Sequence, residues 1–165
     1  MSGAEKSAPM TKLYIDADAC PVTRDAISIA RAHLVPVVLV GNESQNLARY
    51  DGRRGVETVQ VAAGRDTADF AIVARLAPED VVVTGDTGLA AMTLGRGAQA
   101  ISHRGRVFSL FTIDAEMEVR HAEQRHRRAG GRTRGPAPFE DEDREHFKES
   151  LERLLCDPRP DIPHR

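Results

Sequence analysis

The sequence predicts a three-layer α/β fold, with a mainly parallel sheet and helices on both of its faces. Two runs of β-branched residues, at 35–40 and 80–84, are typical of strands buried on both faces. Apolar residues at helical spacing occur between such runs, at 22–32 and 66–76. Because strands that alternate with helices form parallel sheets, we expect ligands to bind outside the carboxyl ends of the strands.

Each element follows from its local sequence. The first strand, Leu13-Tyr14-Ile15, ends in Asp16, and Pro21 precedes the helix at 22–32 because proline at a first helical turn loses no needed hydrogen bond. After the strand at 35–40, the remaining elements are a loop or short helix at 41–55, a strand at 56–61, a helix at 66–76, a strand at 80–84, a short helix at 89–94 and a last strand at 98–101. No Gly-x-Gly-x-x-Gly pattern occurs, which disfavours a dinucleotide-binding fold.

The character of the chain changes beyond residue 110. A helix begins near Ile113, but residues 120–128 are polar on every face. A basic, glycine-rich loop at 127–138 separates it from a charged helix at 141–156. The apolar stripe of that last helix comprises Phe147, Leu151, Leu154 and Leu155. We therefore expect a disordered lead at 1–11, one domain at 12–156 with a C-terminal helical extension, and a proline-rich tail at 157–165.

Composition limits the classes of function. The chain has 165 residues, 41% of them hydrophobic, and a formal charge of −2, which gives no whole-protein argument for nucleic acid or membrane. With two cysteines and no apolar leader segment, a reducing cytoplasm is the expected location, and no membrane partner is expected. The six histidines share no ligand spacing, so surface positions are expected for them rather than zinc ligation. The sequence does not predict an oligomeric state.

Aspartates gather at three strand–helix junctions. Asp16 and Asp18 stand two apart after the first strand, Asp66 and Asp69 stand three apart at a helix start, and Asp86 follows the strand at 80–84. All these junctions are expected at one edge of the sheet. Because gathered carboxylates repel unless a cation is bound, we predict that Asp16, Asp66, Asp69 and Asp86 bind Mg²⁺ or Mn²⁺.

Capping is the alternative for these residues. Asp66 can cap a helix whose first turn holds Asp69, and Asp86 and Asp18 also precede helices. A single aspartate in such a position is more often a cap than a ligand. Five at three junctions favour the metal site.

The basic segment offers a place for an anion. Arg127, Arg128, Arg132 and Arg134 can bind phosphate bidentately, and Gly130 and Gly131 allow backbone amides to approach it. A solvated loop is the alternative. With no tryptophan and few other aromatic residues, any binding to nucleic acid is expected to depend on phosphates and on salt.

Several of these motifs together resemble the bacterial YaiI/YqxD family. The motifs that carry the resemblance are Asp16-Ala17-Asp18-Ala19-Cys20-Pro21, Gly64-Arg65-Asp66-Thr67-Ala68-Asp69, Thr84-Gly85-Asp86 with Leu89-Ala90, Arg104-Gly105, Arg128, Gly130-Gly131-Arg132-Thr133-Arg134-Gly135-Pro136, and Asp143-Arg144 with Phe147. Ser102-His103 departs from the asparagine–proline expected before Arg104. The resemblance implies a PIN-like fold, whose other members are metal-dependent ribonucleases with clustered acidic residues. It also adds Arg104 to the candidate phosphate-binding residues.

The predicted function is metal-dependent hydrolysis of phosphodiesters, with RNA as the expected substrate. Asp16, Asp18 and Asp86 are the candidate catalytic residues. Asp18 acts either as a base or as a carboxylate that supports the metal ligands without contacting the metal. One alternative is a non-catalytic module that binds RNA or the ribosome. The other is a phosphatase of the haloacid dehalogenase type, which shares Asp-x-Asp after a strand but needs a lysine that residues 13–110 lack.

Overall fold

Five parallel strands form the centre of the molecule. The computed structural model describes residues 10–64, 66–135 and 137–156. The strands are β1 (Leu13–Asp16), β2 (Val37–Gly41), β3 (Val56–Gln60), β4 (Val81–Val83) and β5 (Gln99–Ile101). Their order is β3-β2-β1-β4-β5, with Ile15 aligned with Leu39 on one side and with Val83 on the other. The order reverses beside β1, so the carboxyl end of β1 lies at the point where ligands bind in such sheets.

Helices cover both faces of the sheet. They are α1 (Thr23–Ala32), α2 (Thr67–Val73), α3 (Thr87–Gly95), α4 (Ile113–Arg128) and α5 (Asp141–Cys156). Alternate residues of β1 point to opposite faces, because side chains in a strand have a period of two. Leu13 and Ile15 pack in the core beneath α1 and α5, whereas Tyr14 packs against Ile72 of α2 and Leu89 of α3. The three-layer α/β class is thereby confirmed, and the arrangement is consistent with a PIN-like fold.

The C-terminal helix is built into the first of these cores. Phe147 and Leu151 are completely buried, and each such side chain contributes about 1.5–3 kcal/mol through removal from water. Gly105 has a φ of +86°, and a Cβ there would lie 2.6 Å from the carbonyl oxygen of His146. Only glycine therefore allows the β5–α4 connection to approach α5 this closely. The helical extension predicted at 141–156 is confirmed with the same boundaries.

The α2 helix is shorter than predicted, and α4 continues beyond the point where its apolar pattern ends. The α2 helix ends at Val73, and the next turn closes with the tighter bonds Arg75 N–H to Ile72 O and Leu76 N–H to Val73 O. Such a tightened turn is common at helix ends, and Pro78 follows shortly afterwards. The α4 helix continues to Arg128 through the stretch that is polar on every face. It has acidic residues in its first turn and basic residues in its last turn, which match the helix dipole.

Some predictions fall on residues that the structure does not describe. Residues 1–9 of the predicted lead and the whole tail at 157–165 lie outside the described ranges, as do Arg65 and Pro136 of the quoted motifs. Residues 41–55, predicted as a loop or short helix, contain two 3₁₀ turns, Glu43–Gln45 and Leu47–Tyr50. Within the described ranges, no helix combines the length and apolar character that crossing a membrane requires.

Candidate active site

Asp16 lies at the carboxyl end of the central strand and is almost completely buried, with 7% of its surface exposed. One carboxylate oxygen accepts a hydrogen bond from the Thr84 hydroxyl (3.2 Å) and the other accepts one from the Asp18 N–H (3.3 Å). Burial raises the pKa of Asp16, and the charges of Asp18 and Asp86 add to that rise, while the two hydrogen bonds oppose it. Asp18 itself is exposed beside this position.

Asp66 and Asp69 come from the start of α2 and differ in their surroundings. Asp66 occupies the N-cap position in the left-handed region (φ +63°), but its side chain makes no capping hydrogen bond. Asp69 is 7% exposed. Burial raises the pKa of Asp69 from 3.8 to about 6, with further increases from Asp86, Asp16 and Asp66. Capping therefore does not explain the Asp66 side chain, and Asp69 lies within the electrostatic field of the other carboxylates.

Asp86 is both a helix cap and a member of the acidic cluster. Its Oδ1 accepts a hydrogen bond from the Gly88 N–H (2.7 Å) at the start of α3, as the capping alternative predicts. The same oxygen lies 3.3 Å from Nη1 of Arg120. The Thr84 hydroxyl joins the two strand ends, because it donates to Asp16 and accepts from the Asp86 N–H (3.0 Å).

All five aspartates line one cleft of about 1050 Å³ at the carboxyl edge of the sheet. Its other polar side chains are Asn42, Gln45, Ser102, His103, Arg104, Arg120, His121 and Gln124. Among the residues that the structure describes, three potential metal ligands come within 4.8 Å of one another only at His33, Glu152 and Cys156, outside this cleft. The aspartates thus face a shared space, but no three of their described carboxylates bring oxygen atoms as close together as the ligands of one bound ion.

The candidate phosphate-binding residues divide into two groups. Arg104 lines the cleft, but its guanidinium also donates to Asp143 (2.9 Å) and to the Ala137 carbonyl, which ties it to the start of α5. The remaining candidates are not among the described lining residues; they are Arg128, Arg132, Arg134, Gly130 and Gly131. Gly130 ends α4 with a φ of +88°, and a Cβ on Gly131 would meet the His126 ring. Arg127, at the start of the basic loop, lines a neighbouring cleft together with Asp86 and Arg120. The role of the loop in phosphate binding stays a prediction.

Arg120 and His103 are among the cleft residues that were not identified from the sequence. Arg120 belongs to the polar half of α4, and Gly88 leaves room for it, since a Cβ there would meet its guanidinium. His103 was expected at the surface, but its ring packs on Gly85 and its Nε2 is buried without a hydrogen-bond partner among the described residues. Burial and the charge of Arg104 lower the pKa of His103, which favours the neutral ring. Its position directly after β5, at the same sheet edge, was the signal that could have identified it.

Similarity to known proteins extends along almost the whole chain. The model of the family described as "Uncharacterized BCR, YaiI/YqxD family" matches residues 14–157. A UPF0178 protein of Exiguobacterium sibiricum is 43% identical over 146 residues, which cover 88% of this chain and 97% of that protein. A UPF0178 protein of Parvibaculum lavamentivorans is 42% identical over 144 residues (87% and 92%), and one of Bacillus cereus is 37% identical over 145 residues (88% and 99%). No solved structure matches significantly. The chain belongs to the YaiI/YqxD family.

Proposed function

We propose that this protein is a metal-dependent nuclease that hydrolyses phosphodiester bonds in RNA. The observation that carries the proposal is the convergence of five aspartates from three strand–helix junctions on one cleft, next to two arginines. Burial, together with the charges of Asp86, Asp16 and Asp66, raises the pKa of Asp69 to about 6, so keeping this carboxylate ionised costs free energy. A bound cation offsets that cost, and the arginines suit a substrate that carries negative charge.

The donor atoms fit a hard divalent cation. Carboxylate oxygens dominate the cleft, and no cysteine is among its described lining residues, which favours Mg²⁺ or Mn²⁺ over zinc. Asp16, Asp86 and one of Asp66 and Asp69 would hold the ion. Such an ion, when bound, lowers the pKa of a water ligand and neutralises charge on the attacked phosphate.

Side chains around the carboxylates have distinct roles in this proposal. Asp18 is exposed at the mouth of the cleft and can accept a proton from the attacking water. Thr84 keeps Asp16 oriented through its hydroxyl. Arg120, which already faces Asp86, can hold a phosphate oxygen. Phe139 is the only phenylalanine, tyrosine or tryptophan among the described lining residues, so binding through phosphate is favoured over stacking of bases.

The phosphatase alternative has less support. A haloacid dehalogenase-type site needs a lysine beside its nucleophilic aspartate, and no described residue that lines the cleft is a lysine. Lys12 lies at the amino end of β1, where its N–H donates to Asp80 (3.0 Å). That position is at the opposite edge of the sheet from Asp16.

The test is cleavage of a fluorescent single-stranded RNA with Mn²⁺, Mg²⁺ or EDTA, with DNA of the same sequence in parallel. We expect cleavage that needs metal and falls by at least about 100-fold in Asp16→Asn and Asp86→Asn. Loss of a residue that only supports a metal ligand already costs about 10–100-fold. Asp114→Asn is the matched control, since Asp114 is exposed in the first turn of α4 and does not line the cleft.

Two results would contradict the nuclease. One is cleavage that survives in both cleft variants, which would indicate a contaminating enzyme. The other is RNA binding by a parent that never cleaves, with Asp16→Asn binding equally well. That second result would instead support the non-catalytic RNA-binding module.

A further inference from the structure

We propose that His33, Glu152 and Cys156 form a zinc-binding site that joins the ends of α1 and α5. His33 follows the last residue of α1, and the other two stand four apart on α5. The His33 Nε2 lies 2.6 Å from Oε2 of Glu152, and the Cys156 Sγ lies 3.8 Å from His33 Nε2 and 4.0 Å from the same carboxylate oxygen. Three ligand atoms of three chemical types thus lie within 4.8 Å of one another.

The separations are close to those of a tetrahedral zinc shell. Zinc bonds of about 2.0–2.1 Å to nitrogen or oxygen and about 2.3 Å to sulfur place neighbouring ligand atoms about 3.3–3.6 Å apart. The two sulfur distances need to shorten by a few tenths of an ångström, and the histidine–carboxylate pair needs to open by less than one. An entering ion would replace the hydrogen bond between His33 and Glu152, and the neutral imidazole would then carry its proton on Nδ1 and bind the ion through Nε2. The Cys156 thiol would release its proton to solvent.

The backbone holds these side chains in place without the metal. The His33 N–H donates to the carbonyls of Ile29 and Ala30 (3.2 Å each), which fixes it at the end of α1. The buried Phe147 and Leu151 fix α5 against the same core. Because residues four apart on a helix share a face, the side chains of Glu152 and Cys156 both face His33. The backbone positions of the site are therefore set before an ion arrives, and the exposed side chains of Glu152 and Cys156 can adjust to it.

The chemistry of the donors selects zinc and separates this site from the acidic cleft. A thiolate and an imidazole favour Zn²⁺ over Mg²⁺ or Mn²⁺, and with three protein ligands a water completes the shell. None of the three residues lines the acidic cleft. The α1 helix begins at the carboxyl edge of the sheet and leads back toward β2, so His33 lies at the opposite edge. The proposal is thus independent of the proposed nuclease activity.

The test uses the untagged full-length chain titrated with Co²⁺, which occupies tetrahedral zinc sites and gives a thiolate-to-metal charge-transfer absorption. We expect that absorption at one equivalent, its displacement by Zn²⁺, and its loss in Cys156→Ser. His33→Ala and Glu152→Gln should weaken Zn²⁺ binding by at least about tenfold. Cys20→Ser is the matched thiol control, since Cys20 packs beside the core, and Asp16→Asn is the control for the acidic cleft.

The Co²⁺ absorption of the parent and of the variants decides whether the zinc site exists. An absorption that both controls retain and Cys156→Ser lacks supports the site. Absence of the absorption in the parent, its persistence in Cys156→Ser, or its loss in Cys20→Ser overturns it. Should Cys156→Ser fail to fold by circular dichroism, unchanged Zn²⁺ affinity in His33→Ala and Glu152→Gln overturns it equally.

Discussion

Replacing Asp69 by asparagine should stabilise the metal-free protein at neutral pH. Burial and three neighbouring carboxylates raise the pKa of Asp69 from 3.8 to about 6, so its ionised form opposes folding. At about 1.36 kcal/mol for each pKa unit, the difference corresponds to about 3 kcal/mol. The cleft is open to water, which screens the repulsion, and we therefore expect Asp69→Asn to gain about 1–2 kcal/mol.

The gain should depend on pH with a definite sign. Below about pH 4 Asp69 is protonated in both the folded and the unfolded chain, so the variant gains nothing there. As the pH rises from about 4 to about 6, the unfolded chain loses the proton first, and the parent loses stability relative to the variant. Above about pH 6 the gain is complete. Urea unfolding of both proteins in EDTA, at several pH values across this window, measures the difference directly.

The effect of added metal on the stability of the parent and of Asp69→Asn is a second test. Under the proposed function, with Asp69 rather than Asp66 as the third ligand, Mg²⁺ or Mn²⁺ stabilises the parent more than Asp69→Asn, because only the parent has that carboxylate. A variant that is equally stable or less stable than the parent at neutral pH in EDTA would refute the reasoning. So would a difference that stays constant from pH 4 to pH 7, since it could not come from titration of this carboxyl group.

Two further pairs of variants test the docking of α5 and the cations of the cleft. Gly105→Ala should lower the free energy of unfolding in urea by at least about 3 kcal/mol, since its Cβ would clash with the His146 carbonyl. Gly130→Ala has a similar φ but open space around it, and it should cost about 1 kcal/mol. Equal costs for the two variants would show that a small shift of α5 relieves the clash. Arg120→Ala should weaken RNA binding and reduce the salt dependence of the logarithm of the affinity by about one ion, whereas Arg132→Ala should change both less. Fluorescence anisotropy over a range of salt concentrations measures the affinity and its salt dependence. A larger effect of Arg132→Ala would indicate that the basic loop, rather than Arg120, binds the phosphates.

The fold was predictable because its strands carry a strong local signal. The β-branched run before Gly41 and the Val81–Val83 strand read as buried strands without knowledge of their partners, and they occupy β2 and β4. The last helix has a regular apolar stripe, of which Phe147 and Leu151 are completely buried. Each of these signals depends on side-chain periodicity within one element. Periodicity is visible in a sequence.

The cleft was predictable only in part, because some of its residues meet through the packing of different elements rather than through a pattern within one element. Asp16 and Asp86 follow strands, and the edge at which parallel strands end is set by topology. Arg120 reaches Asp86 through the packing of α4 on α3, which depends on the angle between two helices and leaves no mark in the sequence. The sequence does not place the basic loop at 127–138 relative to the cleft, because charge complementarity without a topological constraint does not determine position.

The C-terminal helix contributes to the acidic cleft as well as to the core. Arg104 lines the cleft, and Asp143 in the first turn of α5 binds its guanidinium. The His146 ring donates a hydrogen bond to the Arg104 carbonyl (2.7 Å) from the next turn. Phe139, just before α5, lines the same cleft. Since Phe147 and Leu151 hold α5 in the core, whatever loosens the docking of that helix must also loosen one wall of the cleft.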